Sequence, residues 1–127
     1  MKIAYIDTSY LVAIAFSEPG YQKLIKRSAD FDQCLSSNLL SAEFYATIKR
    51  ESGNFVKAKL LLDGISWILP QRSLENEVQL ILKNGYIRGA DLWHLACAMY
   101  VSKPHQITFL TLDRHQKKLA ELLGFIT

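Results

Sequence analysis

Apolar positions along this chain alternate between two rhythms. Short runs of aliphatic, β-branched and aromatic residues read as strands. Between them lie longer stretches in which apolar residues recur at the three-and-four spacing of a helix. The first strand is predicted over Lys2–Ile6, followed by a helix to about Ser17 with Asp7 or Thr8 as its cap and Leu11, Val12, Ala15 and Phe16 on its inner face. "SEPG" interrupts the chain before a short helix at Tyr21–Ser28 with a basic tip, and Gln33–Ser36 reads as a strand. Ser37 or Asn38 caps a longer helix, "LLSAEFYATIKRES", and Asn54 starts another, "FVKAKLLLDGI", with Val56, Leu60 and Leu61 at helical spacing. "SWILP" is a strand closed by Pro70. Ser73 opens "LENEVQLILKNG", which stops at Gly85. "RGADLWHLACAMYVS" carries a stripe of Leu92, Leu95, Ala96 and Met99. "ITFLTL" is a buried strand, Asp113 starts the helix "RHQKKLAELLG", and "FIT" adds an edge strand.

Strands that short and apolar, alternating with helices, belong in a parallel sheet covered on both faces. The expected architecture is a three-layer α/β/α sandwich with a central, mostly parallel sheet. Its 127 residues favour one domain spanning 1–127. Half of the residues are hydrophobic and about a fifth are charged, an ordinary globular composition. No apolar run reaches the roughly 18–20 residues of a membrane span. Asp7 interrupts the apolar N-terminal stretch, unlike the core of a signal peptide, so a cytoplasmic protein without a membrane partner is expected. Cys34 and Cys97 stand far apart in apolar surroundings, with no spacing suited to zinc, and read as reduced, buried thiols.

Asp7 is out of place in that pattern. It ends an apolar strand, where a carboxylate costs several kcal/mol to bury unless something compensates for it. Asp113 follows "FLTL" in the same way, Asp91 lies in the first turn of its helix, and Glu43 sits early in its helix among apolar neighbours. Ligands of open parallel sheets bind beyond the carboxyl ends of the strands, so these four acids point to one rim. Each also has a plainer reading. Asp7, Asp91 and Asp113 suit helix starts, and Glu43 suits a half-exposed helix position or a pair with Lys49 or Arg50. Converging carboxylates need a cation or raised pKa values. An all-oxygen donor set suits Mg²⁺ or Mn²⁺, whose natural work in such a site is phosphodiester hydrolysis. Formal net charge is +3; setting the four acids aside leaves 15 Lys and Arg against 8 of the 12 acids, an excess of seven. A polyanionic substrate would find that excess attractive. Lys49, Arg50, Arg72, Arg88 and Arg114 are candidate phosphate contacts, each also readable as a solvated charge.

Four stretches in order, "YIDTSYLVA", "LSAEFYATIKR", "RGADLWHLACAM" and "FLTLDRHQKKLAELLGF", make the chain resemble the PIN-domain ribonucleases, and among them the small VapC-type toxins of toxin–antitoxin pairs. The resemblance implies a metal-dependent endoribonuclease, with Asp7, Glu43, Asp91 and Asp113 as catalytic and metal-binding acids. It further implies an RNA substrate such as tRNA or ribosomal RNA, a cognate antitoxin, and a homodimer. Thr8 then caps its helix or orders a water, and Thr111 orients a carboxylate or is a plain strand threonine. Lys49, Arg50, Arg88 and Arg114 are the RNA-binding candidates. His94, three residues after Asp91, is expected to be structural within its apolar stripe, and Tyr10 to join a dimer or antitoxin groove.

Three other readings compete. An Asp7-nucleophile phosphatase resembling the haloacid dehalogenases wants a second aspartate where Ser9 stands. A receiver-type domain wants an acidic pair and a late lysine. A catalytically inactive PIN-like RNA-binding or scaffold module is opposed by the four acids.

Overall fold

The computed structural model describes residues 1–127 and is the α/β/α sandwich that the alternation of strands and helices predicts. Four strands, β1 (Ile3–Ile6), β2 (Gln33–Ser37), β3 (Ser66–Ile68) and β4 (Thr108–Leu110), form an all-parallel sheet in the order β3-β2-β1-β4. Seven helices cover it: α1 (Thr8–Ala15), α2 (Tyr21–Ser28), α3 (Leu39–Arg50), α4 (Phe55–Asp63), α5 (Glu75–Asn84), α6 (Gly89–Val101) and α7 (Arg114–Leu122). No helix is long and apolar enough to cross a membrane.

Strand alternation sends neighbouring side chains to opposite faces. Ala4, Ile6 and Leu110 pack with α1, α3 and α4, whereas Tyr5, Leu35 and Phe109 pack with α5, α6 and α7. The chain moves outward from β1 to β3 with its helices on the first face, then jumps to the other side of β1 with its helices on the second. A single crossover hand requires that change of face. It places the topological switch point between β1 and β4, where open parallel sheets leave a crevice. Register fixes what borders it. Ile6 lies opposite Leu110, and the Asp7 N–H donates to the Leu110 carbonyl at 2.9 Å. Asp7 and Thr111 therefore leave the sheet side by side.

Helix starts follow their caps. Asp7 accepts from Ser9 N, Asn54 from the amides of Val56 and Lys57, and Asp113 from Gln116 N. Other expected boundaries shift. Asn38 makes no side-chain cap; Ser37 Oγ accepts the Leu39 amide instead. Ser73 lies one residue too early to cap α5, although its hydroxyl accepts the Glu75 amide. β4 is shorter than "ITFLTL" because the amides of Leu112 and Asp113 turn away to Ser9 Oγ and Thr111 Oγ1. Ile126 makes a single parallel bridge beside Thr108, its carbonyl accepting from Phe109 N at 2.7 Å, so "FIT" contributes one bridge residue rather than a strand.

Two helix faces also differ from their pattern. In α1 the buried residues are Tyr10, Leu11, Ala13 and Ile14, because the helix is covered by α2, α3 and α4 as well as the sheet. Tyr10 is 1% exposed and donates to the Leu24 carbonyl, so it is a core residue and lines no surface groove. In α4 the residues turned inward are Ala58 and Leu62, while Val56 and Leu60 are 71% and 68% exposed. Cys97 is buried, Cys34 is half-buried, and both are free thiols.

Phe44 is wholly buried on the face of α3 that meets α1 and α4, one residue after Glu43. Phe44→Ala is expected to cost about 3–5 kcal/mol, measured as a lower urea midpoint with an unchanged m-value.

Candidate active site

The loops at the carboxyl ends of β1 and β4 bring Asp7, Asp113 and the start of α6 together. Asp7 is 4% exposed and is held by neutral donors. Its Oδ2 accepts from Ser9 N at 3.0 Å and Ser9 Oγ at 2.7 Å, with Thr111 Oγ1 3.3 Å away; its Oδ1 accepts from Gln116 Nε2 at 3.2 Å. Those bonds solvate the carboxylate without cancelling its charge. Thr111 lies just past the end of β4, so its role comes from the turn and not from strand alternation. Its one hydroxyl proton goes to Gln116 Oε1 at 2.7 Å, and its oxygen accepts the Asp113 amide at 3.1 Å.

Gln116 ties the remaining acids in. Its backbone N–H donates to Asp113 Oδ1 at 2.9 Å, and its side-chain amide reaches the Asp91 carbonyl at 3.4 Å. The Asp91 carboxyl is pushed above its ordinary value, first by burial and then by the charges of Asp7 and Asp113, with Arg88 and His94 acting in the opposite sense. Repulsion of that kind places three acids within electrostatic reach of one another.

Glu43 approaches from α3. Its Oε1 accepts from Thr8 Oγ1 at 2.8 Å and lies 2.7 Å from His94 Nε2, which is itself 4.0 Å from Asp7 Oδ1. Burial pushes the Glu43 carboxyl up, but the hydrogen bonds of His94 and Thr8 and the nearby imidazole outweigh it and hold the pKa below the ordinary value. His94 is fully buried, yet both ring nitrogens have polar partners. It belongs to the polar network and not only to the apolar stripe of its helix.

Hydrogen bonds and charge effects thus link all four acids at the switch point. The acids are not drawn into a closed coordination shell: no three His, Cys, Asp or Glu side chains meet at metal-ligand spacing. The donor chemistry fits a hard divalent cation, since the set is carboxylate oxygen and its charges repel.

The basic candidates divide. Arg88, the residue before α6, acts on the Asp91 charge, and Arg114 follows Asp113 at the start of α7. Lys49 and Arg50 close the opposite end of α3 from its cap, and Arg50 pairs with Glu51. Arg72 is engaged with Glu77 and the Tyr100 ring. Only Arg88 is seen to act on the acids, and Arg114 adjoins Asp113 in the chain.

Ser9 and Gln116 escaped the sequence reading. A signal existed for Gln116: Asp113 followed three residues later by glutamine is a capping-box spacing. The structure keeps half of that motif. The Gln116 amide N–H goes to Asp113, but its side chain turns inward to Asp7.

The raised Asp91 pKa has a sign. Folding disfavours the charged form, so Asp91 destabilises the metal-free protein above its folded pKa, and the penalty disappears as pH falls below the ordinary value of 3.8. In chelator at pH 7, Asp91→Asn is expected to raise Tm by about 2–5 °C. Thermal scans from pH 7 down to about 3.5 should show that gain shrinking; a constant gain would point to a cause other than charge. Glu43 has the opposite sign, contributing stability above its ordinary 4.5 that is lost as pH falls through its lowered folded value.

Comparison with known proteins bears on the same residues. None of the curated proteins compared with the chain matches it. A family model described as PIN domain matches residues 4–122, a span that runs from β1 to the end of α7 and includes every residue of the crevice. PIN domains are nuclease-type domains that act on nucleic acid and generally use divalent metal ions. The chain belongs to the PIN domain family.

Proposed function

We propose that this protein is a metal-dependent endoribonuclease whose reaction centre is the crevice between β1 and β4. The observation that carries the reading is the gathering of Asp7, Glu43, Asp91 and Asp113 around one switch point, with neutral donors on Asp7 and mutual repulsion at Asp91. Asp7, Glu43 and Asp91 would hold Mg²⁺ or Mn²⁺, and Asp113 would complete the set directly or through water. Bound there, such an ion supplies Lewis acidity, lowering the pKa of water and neutralising charge that grows on the phosphate. The protein's own groups do the rest. Ser9 and Gln116 fix the Asp7 carboxylate, Thr111 holds Gln116, Thr8 fixes Glu43, and Arg88 and Arg114 provide cations for the backbone of an RNA strand.

The VapC-type toxin role, with an antitoxin and a homodimeric state, extends this reading. The exposed apolar side chains of Phe55, Val56 and Leu60 beside Tyr45 support a protein partner on the α3–α4 face. A cytoplasmic location follows from the same reading.

Cleavage of cellular RNA is expected only with Mg²⁺ or Mn²⁺. Asp7→Asn and Asp91→Asn should each lower the rate at least about 100-fold with the circular dichroism spectrum unchanged. Glu43→Gln should be nearly as damaging and Asp113→Asn milder. Full activity in excess chelator rejects the mechanism.

Arg88→Ala and Arg114→Ala should weaken RNA binding and reduce the slope of log K against log salt by about one each. Lys49→Ala should leave that slope unchanged. Fluorescence anisotropy across a salt series measures both.

A further inference from the structure

A buried chain of hydrogen bonds runs from the sheet to Glu43 and has no part in the chemistry described so far. Tyr5 and His94 are both wholly buried. The Tyr5 hydroxyl lies 2.5 Å from His94 Nδ1, and on its other side accepts the Ser37 backbone N–H at 3.1 Å. The Glu43 carboxylate can only accept, so it takes the ring proton of His94, and the Tyr5 hydroxyl, which accepts the Ser37 N–H, turns its own proton to the remaining ring nitrogen. Nδ1 is then the acceptor, and the ring proton sits on Nε2, facing Glu43 Oε1 at 2.7 Å. Direction is therefore set at the carboxylate end: Ser37 N–H to Tyr5, Tyr5 to His94, His94 to Glu43.

Geometry makes this chain stiff. The Tyr5 ring stacks on Phe109 with centroids 5.2 Å apart and 4° between planes, and meets the His94 ring edge-on at 5.7 Å. Glu43, by contrast, is only half-buried, on a helix from the other face of the sheet. Thr8 and His94 both hold the same oxygen, Oε1, and no hydrogen bond reaches Oε2.

We propose that Tyr5 and His94 are positioning residues for Glu43: the phenol, donating to Nδ1, holds the imidazole as its Nε2–H tautomer, and the imidazole pins Oε1 so that Oε2 is presented to a divalent cation. Outer hydrogen bonds to ligating groups commonly set their orientation and affinity. The inference rests on Glu43 being a metal ligand, as the proposed function has it.

Two measurements on the intact chain test it. In metal-free protein, the ¹⁵N chemical shifts of His94 should show Nε2 protonated and Nδ1 bare, and Tyr5→Phe should give a mixture of tautomers. A wild-type ring protonated on Nδ1 overturns the proposal without any assay of activity. Mn²⁺ affinity by titration calorimetry should then fall about 10–100-fold in Tyr5→Phe and in His94→Leu. His94→Gln, whose amide can still donate to Oε1, should recover most of it. RNA cleavage should lose kcat in the same order with KM unchanged. Unaltered Mn²⁺ affinity in folded Tyr5→Phe overturns the inference while Glu43→Gln still binds Mn²⁺ poorly. If Glu43→Gln binds Mn²⁺ as the wild type does, the underlying reading of the site fails as well. Should His94→Leu not fold, Tyr5→Phe, which keeps the stacked ring, decides the matter.

Discussion

A carboxylate at the tip of an inner strand has to be solvated by the protein, and most of the local architecture serves that need. Asp7 leaves β1 with almost no access to water. Three donors meet it, two from Ser9 and one from Gln116, and all are neutral. A lysine or arginine in their place would offset the burial cost more fully, at the expense of the negative potential. Dipoles stabilise the ion and leave its field intact. Burial and that field together raise Asp91, so the crevice is poised to favour a positive visitor over a neutral one.

The same side chains that close the helix starts are those proposed for the chemistry. Asp7 caps α1 with one oxygen and offers the other towards Gln116; Asp113 caps α7 through the Gln116 amide. The capping explanation and the functional explanation of these aspartates are therefore not alternatives. A cap fixes the rotamer of a carboxylate and aims it along the helix start, where the macrodipole also favours negative charge. Preorganisation of the acids is a by-product of ordinary helix initiation at the carboxyl edge of the sheet.

Much of this was legible in the chain because it is local. Strand and helix alternate visibly, and Asp7 and Asp113 stand out as polar residues at the ends of apolar runs. What could not be read depends on which neighbour covers which face. α4 has apolar residues nearly all round, so its pattern does not say that Ala58 and Leu62 turn inward and Val56 and Leu60 outward. His94 sits in an apolar stripe by sequence, yet the gap above it is filled by Tyr5 and Glu43 from two distant elements. Lys49 and Arg50 follow Glu43 closely in sequence, but the length of α3 carries them to the far end of their helix. Gln116 was signalled by its spacing from Asp113, although spacing alone could not reveal where its side chain goes.

The bridge at Ile126 has one further effect. Parallel sheets expose unpaired amides and carbonyls along both outer strands, an invitation to strand addition by another molecule. Here Ile126 takes the Phe109 amide on one border, and the opposite border is the three-residue β3. Neither margin presents a long ladder for templated growth, so self-association of this fold is steered towards its helical flanks and away from sheet extension.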